Sequence, residues 1–242
     1  VEPDVPPNPF WVKICGVTRV DTAEQLIELH QSGIRPDAVG LNFFVGSKRY
    51  VSPEVAARIV ERLPADITPI GLFVNHTETE IRSICKQCRI TTIQLHGDET
   101  PEFLARLKDF ELIRAFRVGD AGLSSVDSQL GEIRERGVTM ARCVVDSLVA
   151  GTYGGSGERA PWTLLRQNWK PHWPDLILAG GLTPDNVTDA IATAGPHGVD
   201  VASGVEASPG VQDMAQVAMF LQRARDAGSR RSDSATERGR AG

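Results

Sequence analysis

Eight times along this chain a short apolar run gives way to an amphipathic stretch, and that alternation constrains the fold more than any other feature. The apolar runs are WVKIC, DAVGLNFF, TPIGLFV, TTIQL, ELIRAFRV, ARCVVD, DLILAG and GVDVAS. After each comes a stretch with apolar residues three or four apart, the spacing of a helix with one buried face. In DTAEQLIELHQSG, Asp21 stands where a cap belongs, Ala23, Leu26, Ile27 and His30 share a face, and Gly33 ends the pattern. In SPEVAARIVERL, Ser52 is an N-cap and Pro53 occupies the first helical position. TETEIRSICKQC, TPEFLARLKD, roughly SSVDSQLGEIRERG, APWTLLRQN, TPDNVTDAIATAG and VQDMAQVAMFLQRARDAG supply the remaining helices. The strands read as near-continuous apolar runs, as parallel strands covered by helices do. Eight units of about 30 residues are what a closed (β/α)8 barrel needs in about 250 residues, and the chain has 242. A doubly wound open sheet is the other architecture of this class. No GxGxxG follows the first strand, and eight similar units suit closure better. The expectation is an α/β fold, a single (β/α)8 TIM barrel over residues 11–226. A Pro-rich extension, 1–10, precedes it, and a Ser-, Arg- and Gly-rich tail, 227–242, is expected to be disordered.

Charge and composition narrow the partners. The formal net charge is -5 and no long basic stripe occurs, which argues against nucleic acid. No apolar run is long enough to span a bilayer. VEPDVPPNPF lacks the basic and apolar regions of a signal peptide. The four cysteines, Cys15, Cys85, Cys88 and Cys143, lie mostly inside apolar or helical patterns, so reduced thiols and a cytoplasmic location are expected. Nothing in the sequence sets monomer against homodimer.

A barrel of this kind carries its chemistry at the C-terminal ends of its strands. Those ends read, in order, Cys15, the GSKRY loop, Asn75, His96, Arg117, Asp146, Gly180–Gly181 and Ser203–Gly204. The glycine loops after the seventh and eighth strands let backbone N–H groups approach an anion closely, so a phosphorylated small molecule is the expected ligand. Asp146 is either a cap for the loop SLVAGTYGGSG or a working acid. Cys15 is either a small core residue or a thiol facing the mouth, its pKa lowered by a helix start and nearby cations. Arg49 is either a surface charge or a fork for a substrate carboxylate. GTYGGSG lacks the lysine of a P-loop and suits a water-excluding flap beside Asp146. CKQC, with His76 and His96 nearby, raises a metal or redox module. Zinc needs four converging ligands, and a redox CxxC belongs at a helix N-terminus. This CxxC lies near the end of an amphipathic helix, so neither a metal nor a redox role is expected of it.

The segments KICG (13–16), SKRYVSP (47–53), FVN (73–75), QLHG (94–97), VVDS (144–147), YGGSG (153–157), LAGGLTPDNV (178–187) and VDVASGVEASPGVQD (199–213) together resemble the phosphoribosylanthranilate isomerase family of tryptophan biosynthesis. The match runs in order from about residue 11 to about residue 225. The resemblance implies a cofactor-free Amadori rearrangement on a (β/α)8 barrel. It makes Cys15 the general base and Asp146 the general acid. It gives Arg49 the anthranilate carboxylate, and Gly180, Gly181, Ser203 and Gly204 the phosphate. It sets Asp200 near the anthranilate amine and His96 at the barrel mouth. The histidine-pathway aminoaldose phosphate isomerase resembles the phosphate loops too, but its first-strand base is an aspartate, where this chain has Cys15. A bifunctional isomerase stays open beside it. A non-catalytic anion-binding barrel would need neither Cys15 nor Asp146.

Overall fold

The computed structural model describes residues 10–118, 122–146 and 162–240, the stretch 231–240 by its backbone alone. Eight parallel strands close on themselves in sequence order: β1 (Trp11–Cys15), β2 (Ala38–Asn42), β3 (Thr68–Phe73), β4 (Thr92–Leu95), β5 (Glu111–Arg117), β6 (Met140–Asp146), β7 (Asp175–Ala179) and β8 (Gly198–Val201). Closure is direct, since β1 pairs with β2 on one side and with β8 on the other. Between and after them run α1 (Val20–Gln31), α2 (Pro53–Arg62), α3 (Glu78–Cys88), α4 (Pro101–Arg106), α5 (Ser124–Glu135), α6 (Trp162–Asn168), α7 (Val187–Ala194) and α8 (Met214–Arg240). The expected (β/α)8 barrel is the fold.

Local chemistry explains several helix starts. Ser52 accepts a hydrogen bond from the Val55 N–H ahead of Pro53, and Thr77 with Glu80 forms a full capping box on α3. Each such cap contributes on the order of 1 kcal/mol. Asp21 is a correction. It lies inside the first turn of α1 and is gripped by the Arg19 guanidinium, so the helix starts at Val20 with no side-chain cap. α7 also starts later than TPDNV suggests. Asn186 spends its amide on the preceding loop, accepting from Thr183 N at 2.9 Å and donating to Gly181 O at 2.9 Å. Two short strands after β8 have no counterpart in the sequence reading: a 3-10 turn (Ser203–Val205) leads into the antiparallel hairpin β9 (Glu206–Ser208) and β10 (Val211–Gln212). Where a disordered tail was expected from residue 227, the backbone of α8 continues helical to Arg240. No proline interrupts that stretch, and adding residues to an existing helix is far easier than nucleating one.

Two apolar layers hold the barrel. The larger lies between strands and helices and includes Ile14, Phe73, Leu178 and Phe220, all essentially inaccessible. A small inner cluster of Ala38, Ile70, Ile113, Ala115, Val144, Ile177 and Ala179 fills the barrel itself. That inner plug closes the floor and leaves the upper end open for polar groups. Among the described residues no helix is long and apolar enough to cross a membrane. The extension 1–9 and the loop 147–161, with the flap expected in GTYGGSG, lie outside the described residues.

Candidate active site

Successive side chains of a strand face opposite sides. On β1, Val12 and Ile14 point into the outer core, which turns Lys13 and Cys15 inward. On β6, Cys143 and Val145 point outward, which turns Val144 and Asp146 inward. The same parity places Gln94 and His96 inside on the β4 side. One cleft at the C-terminal ends of the strands therefore gathers Cys15, His96 and Asp146. Arg49 borders it, as do Gly180, Gly181 and Ser203, and Asp200 lies in its floor. Asp146 is half-buried and within electrostatic reach of His96 and Asp200.

Under Cys15 sits a group the sequence reading passed over. Lys13 is fully buried, and its ammonium donates to Asp200 Oδ2 at 2.7 Å and to Gln94 Oε1 at 2.9 Å. A charged residue at an inward position, two before the cysteine, was the available signal. Burial alone would drive the Lys13 amine neutral, but the Asp200 carboxylate beside it raises its pKa and holds it charged. Burial pushes the Asp200 carboxyl upward, against the pull of Lys13. The second Asp200 oxygen, Oδ1, is buried with no hydrogen-bond partner among the described residues and lies at the cleft floor.

Cys15 departs from expectation in its acidity. Burial pushes the thiol up from 9.0, and Lys13 and Arg49 pull it down without overcoming that cost. Nearby cations alone predict a lowered value, and desolvation in the assembled barrel outweighs them. The thiol is therefore protonated in the resting protein, with a cation at hand to receive the developing thiolate.

Arg49 reaches over the end of β1. Its stem lies above Gly16, a glycine at φ 78°, where a β-carbon would sit 2.5 Å from Arg49 Cδ. The guanidinium binds Glu206 of β9 through two bonds, Nε to Oε1 at 2.7 Å and Nη2 to Oε2 at 2.7 Å. Glu206, also missed in the sequence, is 3% exposed on its side chain.

The two glycine loops lock together. Gly180 and Gly181 adopt φ of 84° and 61°. A β-carbon on Gly204 would fall 1.8 Å from the Leu182 carbonyl oxygen, so only glycine lets these loops meet. Gly204 makes that close approach and is not in the cleft wall, unlike the other three residues expected there. His96 holds its ring in the cleft, its Nε2 buried without a hydrogen-bond partner among the described residues. Burial and the Arg117 charge lower its pKa, which keeps the imidazole neutral at pH 7. Asn75, also named as a strand end, braces the neighbouring loops by accepting from Asp98 N at 2.7 Å and donating its own N–H to Glu99 at 2.8 Å.

Cys85 and Cys88 turn into the helix–strand core, where burial pushes their thiols up to about 12 and about 11. Cys88 donates to the Pro53 carbonyl. Neither is aimed at His76 or His96, and among the described residues no three His, Cys, Asp or Glu side chains converge as metal ligands. Trp169 and Trp173 meet edge-to-face at 4.9 Å as packing residues.

Residues 12–223 match the family model described as N-(5'phosphoribosyl)anthranilate (PRA) isomerase. An N-(5'-phosphoribosyl)anthranilate isomerase of Geotalea uraniireducens is 41% identical over 216 residues, covering 88% of this chain and 98% of that protein. The one from Trichlorobacter lovleyi is 37% identical over 217 residues, 89% of this chain and 98% of its own. Among solved structures, the phosphoribosyl anthranilate isomerase of Thermotoga maritima superimposes with a TM-score of 0.76 at 34% identity, covering 89% of this chain and 98% of that one. A phosphoribosyl anthranilate isomerase in complex with reduced 1-(o-carboxyphenylamino)-1-deoxyribulose 5-phosphate gives a TM-score of 0.73 at 32% identity, with the same coverage of 89% and 98%.

Proposed function

Because this chain belongs to the N-(5'-phosphoribosyl)anthranilate isomerase family of enzymes, we propose that it performs the Amadori rearrangement of N-(5-phosphoribosyl)anthranilate to 1-(2-carboxyphenylamino)-1-deoxyribulose 5-phosphate in tryptophan biosynthesis, with Cys15 as general base and Asp146 as general acid. The observation that carries the assignment is the meeting of these two side chains, from β1 and β6, in one cleft bordered by a guanidinium and by two interlocked glycine loops.

The chemistry runs as follows. Asp146, in its protonated form, gives its proton to the ribose ring oxygen as the C1–O bond breaks. The glycosidic nitrogen, which carries a hydrogen, supplies the electron pair, leaving an open-chain protonated imine. The Cys15 thiolate then takes the proton from C2, and the C–H electrons move toward the imine to give an enolamine. Tautomerisation of the enolamine delivers the ketone. One C–O bond breaks, and the proton that Asp146 gives up is made good by the one Cys15 takes from C2, returned through solvent, so atoms and charge balance without a redox partner or cofactor. A thiolate whose conjugate acid is weak is scarce near neutrality but strongly basic, which suits removal of a carbon-bound proton. Lys13 sits beside the sulfur, and its charge offsets the anion. Gly180, Gly181 and Ser203 take the 5-phosphate through backbone N–H groups, with Gly204 holding their loops together, while Arg49 takes the aryl carboxylate. Fixing both ends leaves the sugar little freedom between acid and base. Asp200 Oδ1, at the floor, faces the position of the anthranilate amine, and the neutral His96 lines the mouth beside it. The ligand named for the related complex carries both anionic groups, which supports a site that grips an anion at each end.

A fluorescence assay of substrate loss tests the roles. Cys15→Ala and Asp146→Asn should each lose at least ~10²-fold in turnover while still binding the reduced product analogue. Near-normal turnover in either variant would remove that residue from the mechanism.

A further inference from the structure

We propose that Glu206 is a positioning residue that makes the site selective for a carboxylated aryl amine, by clamping Arg49 so that one fixed edge of its guanidinium faces the ligand. The inference rests on the reading of Arg49 as the receptor of the aryl carboxylate and goes beyond it by naming what aims that receptor.

A guanidinium offers two parallel pairs of N–H bonds, one along the Nε/Nη2 side and one across the Nη1/Nη2 end. Glu206 occupies the side pair with both of its oxygens, at 2.7 Å each. The end pair is left, and among the described residues Nη1 has no hydrogen-bond partner. The carboxylate that does the clamping is itself fixed. Its Oε1 also accepts the Gly210 N–H at 3.1 Å, and Gly210 is the φ 81° turn of the β9–β10 hairpin. That hairpin is pinned to the loop after β1: Thr18 Oγ1 donates to Gly210 O at 2.6 Å, and Gln212 Nε2 donates to Gly16 O at 3.1 Å. The loop so pinned is the one that follows Cys15. Gly16 leaves no side chain to hold Arg49 away, so its stem lies across that loop. The chain of contacts from Thr18 through Gly210 and Glu206 to Arg49 thus sets the guanidinium in register with the thiol. Without Glu206 a long, flexible side chain would present its charge over many orientations, and a planar two-point grip needs one.

The clamp predicts a specific kinetic pattern. A grip made equally in the ground and transition states changes KM and leaves kcat alone. Glu206→Gln should raise KM about 10-fold with kcat nearly unchanged. The sharper readout is discrimination. Two probes are reduced 1-(o-carboxyphenylamino)-1-deoxyribulose 5-phosphate and the same compound without its carboxylate. The native enzyme should favour the first strongly. Glu206→Gln should shrink the preference, mainly by weakening the carboxylated probe. A merely structural role would weaken both probes alike. Glu206→Asp, which keeps the charge but shortens the reach, should fall between the two and serves if the Gln variant does not fold. In the Arg49→Met background, Glu206→Gln should have no further effect on either probe. If Arg49→Met leaves the preference intact, the reading of Arg49 fails. If Arg49→Met abolishes it while Glu206→Gln and Glu206→Asp leave it at the native value, the clamp is overturned and the Arg49 reading stands.

Discussion

Cys15 and Gly40 are partners across the β1–β2 seam, and the thiol occupies the space that a side chain on residue 40 would need: Sγ lies 2.6 Å from the position of a β-carbon there. Lys13 Cε lies 3.0 Å from the same point. A glycine in the middle of a buried strand usually weakens it. Here it makes room for the proposed base and for the cation beneath it.

Gly40→Ala is therefore expected to act as overpacking inside the barrel. The added methyl has to displace Sγ or the lysine stem, at a cost of about 1–3 kcal/mol. Turnover should fall further than this stability loss explains, because the displaced atoms are the ones proposed to do the chemistry. Thermal unfolding and turnover measured on the same sample check the point. A variant with normal turnover would show that the Cys15 position is not critical.

The raised pKa of Cys15 sets the direction of the pH dependence. The thiol has to lose its proton before it can act as base, and burial holds that loss above the ordinary 9.0 of a free thiol. Alkylation of the unliganded enzyme by iodoacetamide, which reads the thiolate directly, should climb with pH through neutrality and still be rising near 9.0. It should fall on Cys15, which lines the cleft, while Cys85, Cys88 and Cys143 are packed in the outer core. An alkylation rate already at its plateau at pH 7 would contradict this acidity.

Lys13 offers a test of charge against packing. Lys13→Met strands the Asp200 carboxylate in a buried site, a change that costs about 3–5 kcal/mol when one member of such a pair is removed. Lys13→Met with Asp200→Leu removes both charges and should recover much of that stability, as read in urea unfolding. Turnover should stay low in both variants, because the thiolate has lost its counter-charge. Recovery of turnover with stability would make the pair purely structural.

Gly204→Ala is expected to separate the two glycine loops, since its methyl would stand 1.8 Å from a backbone oxygen that cannot rotate away. Inorganic phosphate should protect the native protein against heat and lose that effect in the variant. Equal protection of both would place the phosphate elsewhere.

Local signals in the chain determined the element order and several helix starts. Ser52–Pro53 opens a helix wherever it stands, because the hydroxyl and the missing N–H act within one turn. Eight apolar runs, too short to bury themselves, imply closure, and closure fixes which strand ends share a mouth. That is why Cys15, His96 and Asp146 could be nominated together. Asp21 shows where local reading fails: its carboxylate was free to cap until Arg19 took it. The remainder depended on contacts that no window of sequence contains. Lys13 finds Gln94 and Asp200 across separations of 81 and 187 residues, and Arg49 finds Glu206 across 157. These partners meet only because barrel closure brings β8 against β1 and gathers β1, β4 and β8 around one interior, and only then does burial decide which charges pair and how far the thiol's acidity shifts. Desolvation is a property of the assembled interior, so the acidity of Cys15 and the aim of Arg49 belong to the tertiary structure alone.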